Sequence, residues 1–251
     1  MTSTVAVDKT KRRKSLDCHT ITCDDHDAED RLRERYMQTA MYRDGYVVLR
    51  KQVDIQAALT ARCAALLRRS EPIFNGKGRY GNDFKRRQAR IAIAETELPD
   101  FGTIFETLGI ERAVTTTFQY VALFSEAGCA RQTAHADYNI DVDMWAPNNP
   151  RVSHGCVVSL TEGTRFDVWR GAHLMIPQYG QELSPAVPRE TIELGAGDVV
   201  VFRADCIHAG AAYSTDNVRI HCYMDIESMP HTHNRVNLWT KLVEEGCLVD
   251  P

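Results

Sequence analysis

Hydrophobic and polar positions divide the chain into two halves of different period. Leu32, Tyr36, Met37, Ala40 and Met41 recur at helical spacing, so a helix is expected from about Ala28, ended by Asp44-Gly45. Tyr46-Val47-Val48-Leu49 is a short apolar run, the mark of a buried strand. A second helix is expected over 55–67, with Ala58, Leu59, Ala65 and Leu66 apolar. Residues 71–90 break the pattern. Gly76, Gly78 and Gly81 stand among Lys77, Arg79, Lys85, Arg86, Arg87 and Arg90, which predicts a flexible basic loop, with a lid over an anionic substrate as the alternative. Beyond residue 110 the pattern is that of strands, over 115–124, 152–160, 165–169, 190–194, 198–202 and 218–226. Strand and helix do not alternate, so a doubly wound parallel sheet is disfavoured. Helices first and short strands later predict a mainly β architecture with flanking helices (α+β), a double-stranded β-helix or jelly roll of the cupin-like kind.

Composition adds bounds. The 251 residues suffice for one large domain, read here as 28–251. No apolar run reaches the length of a membrane span. A net charge of −4 disfavours a nucleic-acid partner, because no global basic field exists. Residues 1–27 read as a disordered tail: they hold a basic run from Lys9 to Lys14, an acidic one at Asp24, Asp25 and Asp27, and few large apolar groups. The basic run, Lys11 to Lys14 above all, is either a solvated tail or a nuclear address or nucleic-acid contact. The eight cysteines form no C-x-x-C pair, so a zinc knuckle is not expected. The first residues hold no continuous apolar segment, so no secretory signal is expected. Both features fit an intracellular, cytoplasmic protein with reduced, buried thiols.

Among nine histidines, one has a carboxylate two residues on: His135-Ala136-Asp137. In an extended segment these two side chains point to the same side and can converge on one ion. Downstream, Gly195-Ala196-Gly197-Asp198 reads as a tight turn, followed by an apolar strand that leads to His208. Arg219 follows eleven residues later. Two imidazoles and one carboxylate on one face of a metal leave three positions open, the facial triad of non-haem Fe(II) oxygenases. The open positions take a bidentate 2-oxo acid and then O2. A fixed guanidinium can hold the far carboxylate of 2-oxoglutarate as a bidentate pair, and Arg219 has the type and place for that task.

This pattern resembles the Fe(II)/2-oxoglutarate-dependent dioxygenases, and within them the phytanoyl-CoA dioxygenase-like branch. His135, Asp137, His208 and Arg219 match the family motif in order and spacing. Asp44 to Leu49 looks like the family's first strand, Arg170-Gly171-Ala172-His173-Leu174 like its G-S-H segment, and Gly195 to Asp198 like the turn before its distal histidine. The resemblance implies a double-stranded β-helix holding Fe(II). It implies use of 2-oxoglutarate and O2, release of succinate, and oxidation, most simply hydroxylation, of a small-molecule C–H. His135, Asp137 and His208 would then be the metal ligands and catalytic set. Arg219 would bind the cosubstrate, with Gln119 and Thr133 as further hydrogen-bonding candidates. Asp225, where a basic residue marks the nucleic-acid repair branch, and Arg219, where prolyl hydroxylases carry Lys, point away from both. The alternatives are a protein or nucleic-acid substrate, a jelly-roll binding module without catalysis, and a zinc hydrolase in which Arg219 would have no task.

The remaining candidates take plainer roles. His173 and His221 are expected to be core histidines, and Cys206 and Cys222 packed thiols. His231 and His233 read as a surface loop. Asp141, Asp143 and Trp145 form a candidate pocket rim that favours a cation, whereas Arg131 and Arg170 favour an anion, so substrate charge stays open.

Overall fold

A computed structural model describes residues 23–55, 57–67, 70–73, 84–91, 101–108, 110, 117–132, 134–138, 149–175, 187–226 and 237–238. The basic run at 9–14, the glycines at 76, 78 and 81, Thr133, the rim at 141–145 and His231 and His233 lie outside the described residues.

The first helix is two helices. α1 (Cys23–Met37) ends before α2 (Ala40–Asp44) begins. Thr39 causes the break: in an extended conformation, its Oγ1 donates to Tyr36 O at 2.7 Å and accepts from Tyr42 N at 3.2 Å, capping the new helix. α1 starts at Cys23, five residues before Ala28. Gly45 ends α2 in the left-handed region at φ 85°. A Cβ there would also stand 2.8 Å from His173 Nδ1, so two constraints demand glycine.

The other elements, in chain order, are β1 (Tyr46–Leu49), α3 (Ala57–Leu67), β2 (Glu71–Pro72), β3 (Arg86–Ile91), α4 (Phe101–Thr107), β4 (Thr117–Ser125), β5 (His135–Ala136), β6 (His154–Ser159), β7 (Thr164–Trp169), β8 (Arg189–Leu194), β9 (Val199–Arg203), β10 (His208–Gly210), β11 (Asn217–Asp225) and β12 (Asn237–Leu238), with a 3-10 turn over Ala172–Met175. Seven strands form one sheet in the order β1-β9-β6-β11-β4-β3-β2, and five form the other in the order β12-β5-β10-β7-β8. The pairings are antiparallel, as in the jelly roll expected from the sequence.

β3 corrects the expectation of a basic loop: Arg86 to Arg90 belong to a strand paired with β4, Arg86 opposite Ser125 and Ile91 opposite Tyr120. The glycines upstream suggested a loop, but pairing with β4 satisfies the backbone of these residues regardless of their charge.

The central strands β6, β9 and β11 of the larger sheet are buried on both faces, and Val199 to Phe202 of β9 read as a continuous apolar run for that reason. Cys156, Val158, Val199, Val201, Ile220, Cys222 and Met224 pack with Leu59, Cys63, Phe101 and Phe105 of α3 and α4. The alternate residues Val157, Val200 and Phe202 pack with Phe166, Val168, Ile192 and Leu194 of the smaller sheet. Cys63, Cys129, Cys156, Cys206 and Cys222 are buried and form no disulfide. No described helix is long and apolar enough to cross a membrane.

Candidate metal centre

The short strands β5 and β10 carry the site. Their pairing sets His135 directly opposite His208, and β10 is held on its other edge by β7. The two imidazole rings lie 4.6 Å apart. Asp137, just past β5, brings Oδ1 to 3.7 Å from His135 Nε2 and Oδ2 to 3.5 Å from His208 Nε2. Ligand atoms of all three lie within 4.8 Å of one another, and all three residues are buried. Neighbouring ligands about 2.1 Å from one ion stand roughly 3 Å apart, so small adjustments bring these atoms to a common metal.

Electrostatics and packing suit that use. Burial pushes the Asp137 carboxyl up, but the imidazoles of His208, His221 and His135 outweigh it and hold it below the usual carboxylate range. Its Oδ2 is sealed from solvent and makes no regular hydrogen bond among the described residues. Cys206 O accepts from His208 Nδ1 at 3.1 Å, which leaves Nε2 with its lone pair toward Asp137. Phe166 stacks on the His208 ring at 5.1 Å and Phe202 packs against it at 4.7 Å. The residues present therefore fit a two-histidine, one-carboxylate metal ion.

Arg219 lies on β11, on the face turned to the smaller sheet and 4% exposed. Its Nη1 donates to Ser125 Oγ at 2.9 Å and to Asn217 Oδ1 at 3.4 Å. Arg86, expected only as part of a basic loop or anion-covering lid, joins it. Fully buried, Arg86 donates to the same Ser125 Oγ at 3.0 Å and to the carbonyls of Ala130 at 2.7 Å and Ala211 at 2.6 Å. Both guanidinium groups lie over the Tyr213 ring, at 5.7 and 5.6 Å. Ser125 Oγ thus accepts from two cations, and its own proton is left to donate to a third group. These bonds of Arg219 go to neutral oxygens, so the cluster is a buried positive site suited to an anion.

The other candidates divide. Gln119 stands opposite Tyr223 on the same face of β4 as Ser125, six residues along the strand. His173 is a core histidine as expected: its Nε2 donates to Tyr42 O at 2.7 Å, and burial lowers its pKa to about 4. His221 is not. Its Nε2 lies 3.3 Å from Asp137 Oδ2, inside the site. Arg131 and Arg170 do not await a substrate anion: Arg131 pairs with Asp167 at 2.9 Å and Arg170 with Asp44 at 2.9 Å. Burial pushes the Cys206 thiol up, so it is not a nucleophile.

No protein-family model and no curated protein sequence matches the chain. Solved structures do. SnoN, described as a non-heme alpha-ketoglutarate-dependent epimerase and solved with Fe3+, alpha-ketoglutarate and nogalamycin RO, superposes with a TM-score of 0.54 at 20% identity, covering 82% of this chain and 87% of that one. SnoK, a carbocyclase of the same kind from nogalamycin biosynthesis, gives 0.53 at 17% identity over 76% and 83%. A Pseudomonas putida prolyl-4-hydroxylase gives 0.50 at 15% identity over 73% and 94%. The chain shares their jelly-roll fold. At these identities the likeness carries fold and not substrate, so the hydroxylase does not reopen the prolyl question that Arg219 argued against.

Proposed function

We propose that this protein is a non-haem Fe(II), 2-oxoglutarate-dependent oxygenase acting on a small molecule, in the phytanoyl-CoA dioxygenase-like branch that its motifs resemble. The observation that carries the proposal is a pairing. A buried His135–Asp137–His208 cluster lies between the same two sheets as a buried Arg86–Arg219 pair, which hydrogen-bonds a shared serine. Arg219 and His221 lie on one face of β11 about 7 Å apart along the strand, and His221 touches Asp137. An anion held by Arg219 therefore extends toward the metal ligands.

His135 Nε2, His208 Nε2 and Asp137 would hold the metal, and Arg219, Ser125 and Arg86 would receive the far carboxylate of 2-oxoglutarate. Bound together, the iron and 2-oxo acid would supply oxidative decarboxylation to succinate and CO2 and oxidation of a substrate C–H by O2, hydroxylation being the simplest outcome. The protein's share is geometric and electrostatic. Asp137 stays ionised and lowers the charge of the site. Phe166 and Phe202 fix the His208 ring and exclude water from one side of it. Ser125 offers its hydroxyl proton between two guanidinium groups. The near-complete burial of the three ligands supports a small substrate over a folded macromolecule.

The test is anaerobic titration of the Fe(II)-loaded protein with 2-oxoglutarate, following the visible charge-transfer band of the chelate. The band should appear in wild type, be lost in His135→Ala, and require at least tenfold more 2-oxoglutarate in Arg219→Ala. Iron binding without any response to 2-oxoglutarate refutes the proposal and leaves the jelly-roll binding module.

A further inference from the structure

Three imidazoles, not two, surround Asp137. His221 Nε2 lies 3.3 Å from Asp137 Oδ2, closer than the nearest nitrogen of His208 or His135, at 3.5 and 3.7 Å. Yet the group of ligand atoms mutually within 4.8 Å is His135, Asp137 and His208, without His221. His221 is placed to touch the carboxylate and not the ion.

Its ring is held in that attitude. Tyr223 stacks on it at 4.1 Å and 20°, and Phe202 meets it edge-on at 5.6 Å. Gly155 leaves the space: a Cβ there would stand 3.2 Å from His221 Nε2 and 2.5 Å from the Phe202 ring. The backbone after Asp137 is pinned as well, because the single hydroxyl proton of Tyr138 is shared between Asp225 Oδ1 at 2.9 Å and His154 O at 3.1 Å. Rotation of the carboxylate about its own side-chain bonds is then the main freedom left to Asp137.

That freedom matters for a facial triad. A carboxylate that binds through both oxygens takes two of the metal's positions and leaves two. A chelating 2-oxo acid fills those two, and nothing remains for O2. A carboxylate binding through one oxygen keeps the third position open, and ligating carboxylates are generally held by a hydrogen bond from their surroundings. We propose that His221 is the positioning residue for Asp137: its Nε2–H takes the carboxylate oxygen not used by the metal and so keeps the carboxylate monodentate. This inference rests on the metal assignment made above.

The test measures metal binding and needs no substrate. Co(II) affinity is measured by calorimetry for wild type, His221→Ala and His221→Gln, with thermal melting as a check on folding. His221→Ala should bind Co(II) 10–100-fold more weakly. His221→Gln, whose amide N–H can donate to the carboxylate, should recover to within about threefold of wild type. Wild-type protein loaded with Cu(II) should show two coordinated nitrogens by electron paramagnetic resonance, a count that depends on no variant folding. Affinity in His221→Ala within twofold of wild type would reduce His221 to packing and overturn the inference. A glutamine variant as weak as the alanine variant, or three coordinated nitrogens in wild type, would overturn it too, the latter by making His221 a ligand. Failure of wild type itself to bind Co(II) would instead strike the metal assignment.

Discussion

His154 and His173 are buried neutral beside the Arg203–Asp205 ion pair, and acid should expose the cost. Burial, together with the Arg203 charge, lowers His154 to about 3; burial lowers His173 to about 4, against the partial opposition of Asp205 and the Tyr42 carbonyl. The unfolded chain protonates both near pH 6.5. Between pH 6.5 and about 4 the unfolded state therefore binds protons that the native state refuses, so stability rises with pH across that window and is lost as pH falls through it. Going from pH 7 to pH 5 costs about 2 kcal/mol for each group, about 4 kcal/mol for both, a large part of the 5–15 kcal/mol that domains possess. Carboxylates titrate lower, so this window belongs to histidine. Urea denaturation at pH 7, 6 and 5 measures it. His173→Gln keeps a donor for Tyr42 O, and His154→Phe fills a site already flanked by Phe105 at 6.0 Å. Each variant should remove about half of the pH 7 to 5 loss, and the pair most of it. A double variant that loses as much stability as wild type over that range refutes the reasoning.

Two further outcomes follow from the packing. Gly155→Ala puts a methyl 2.5 Å from the Phe202 ring, which itself supports His208, so it should cost about 1–3 kcal/mol in a thermal melt and weaken Co(II) binding at least tenfold; unchanged metal affinity would detach Phe202 from the site. Arg203 donates through Nε and Nη2 to the two oxygens of Asp205, each at 2.8 Å, and Nη1 to Tyr36 OH, all buried, so Arg203→Met should cost about 3–5 kcal/mol, and Arg203→Met with Asp205→Leu should regain most of it in urea denaturation.

The sequence disclosed what local period and spacing carry. β9 was legible because burial on both faces makes Val199 to Phe202 an unbroken apolar run, and His135 and Asp137 because two residues along an extended chain share a side. The break at Thr39 was written in one capping residue inside an otherwise continuous helical pattern. Arg86 was legible only as one member of a basic stretch. What separates it from Arg87 and Arg90 is a set of oxygens on Ser125, Ala130 and Ala211, supplied by elements 39, 44 and 125 residues away. His221 reads as any strand histidine until the fold brings Asp137 to it. Arg131 and Arg170 erred in the other direction: their partners Asp167 and Asp44 are distant in sequence, so both arginines looked available.

The two halves of the site stand on different sheets, and that division has a consequence. His135 and His208 belong to the smaller sheet, whereas Arg86, Ser125 and Arg219 belong to the larger one. A ligand that bridges the metal ligands and the guanidinium pair must span the gap between sheets. That gap is set by Val157, Val200 and Phe202 packed against Phe166, Val168 and Leu194, and not by a loop. Interiors packed this closely do not adjust by an ångström to suit a longer or shorter ligand. Under the proposed function, choice among dicarboxylic 2-oxo acids by length would therefore be a property of the hydrophobic core between the sheets, where Phe202 both packs against the ring of His208 and stands between the sheets against Phe166.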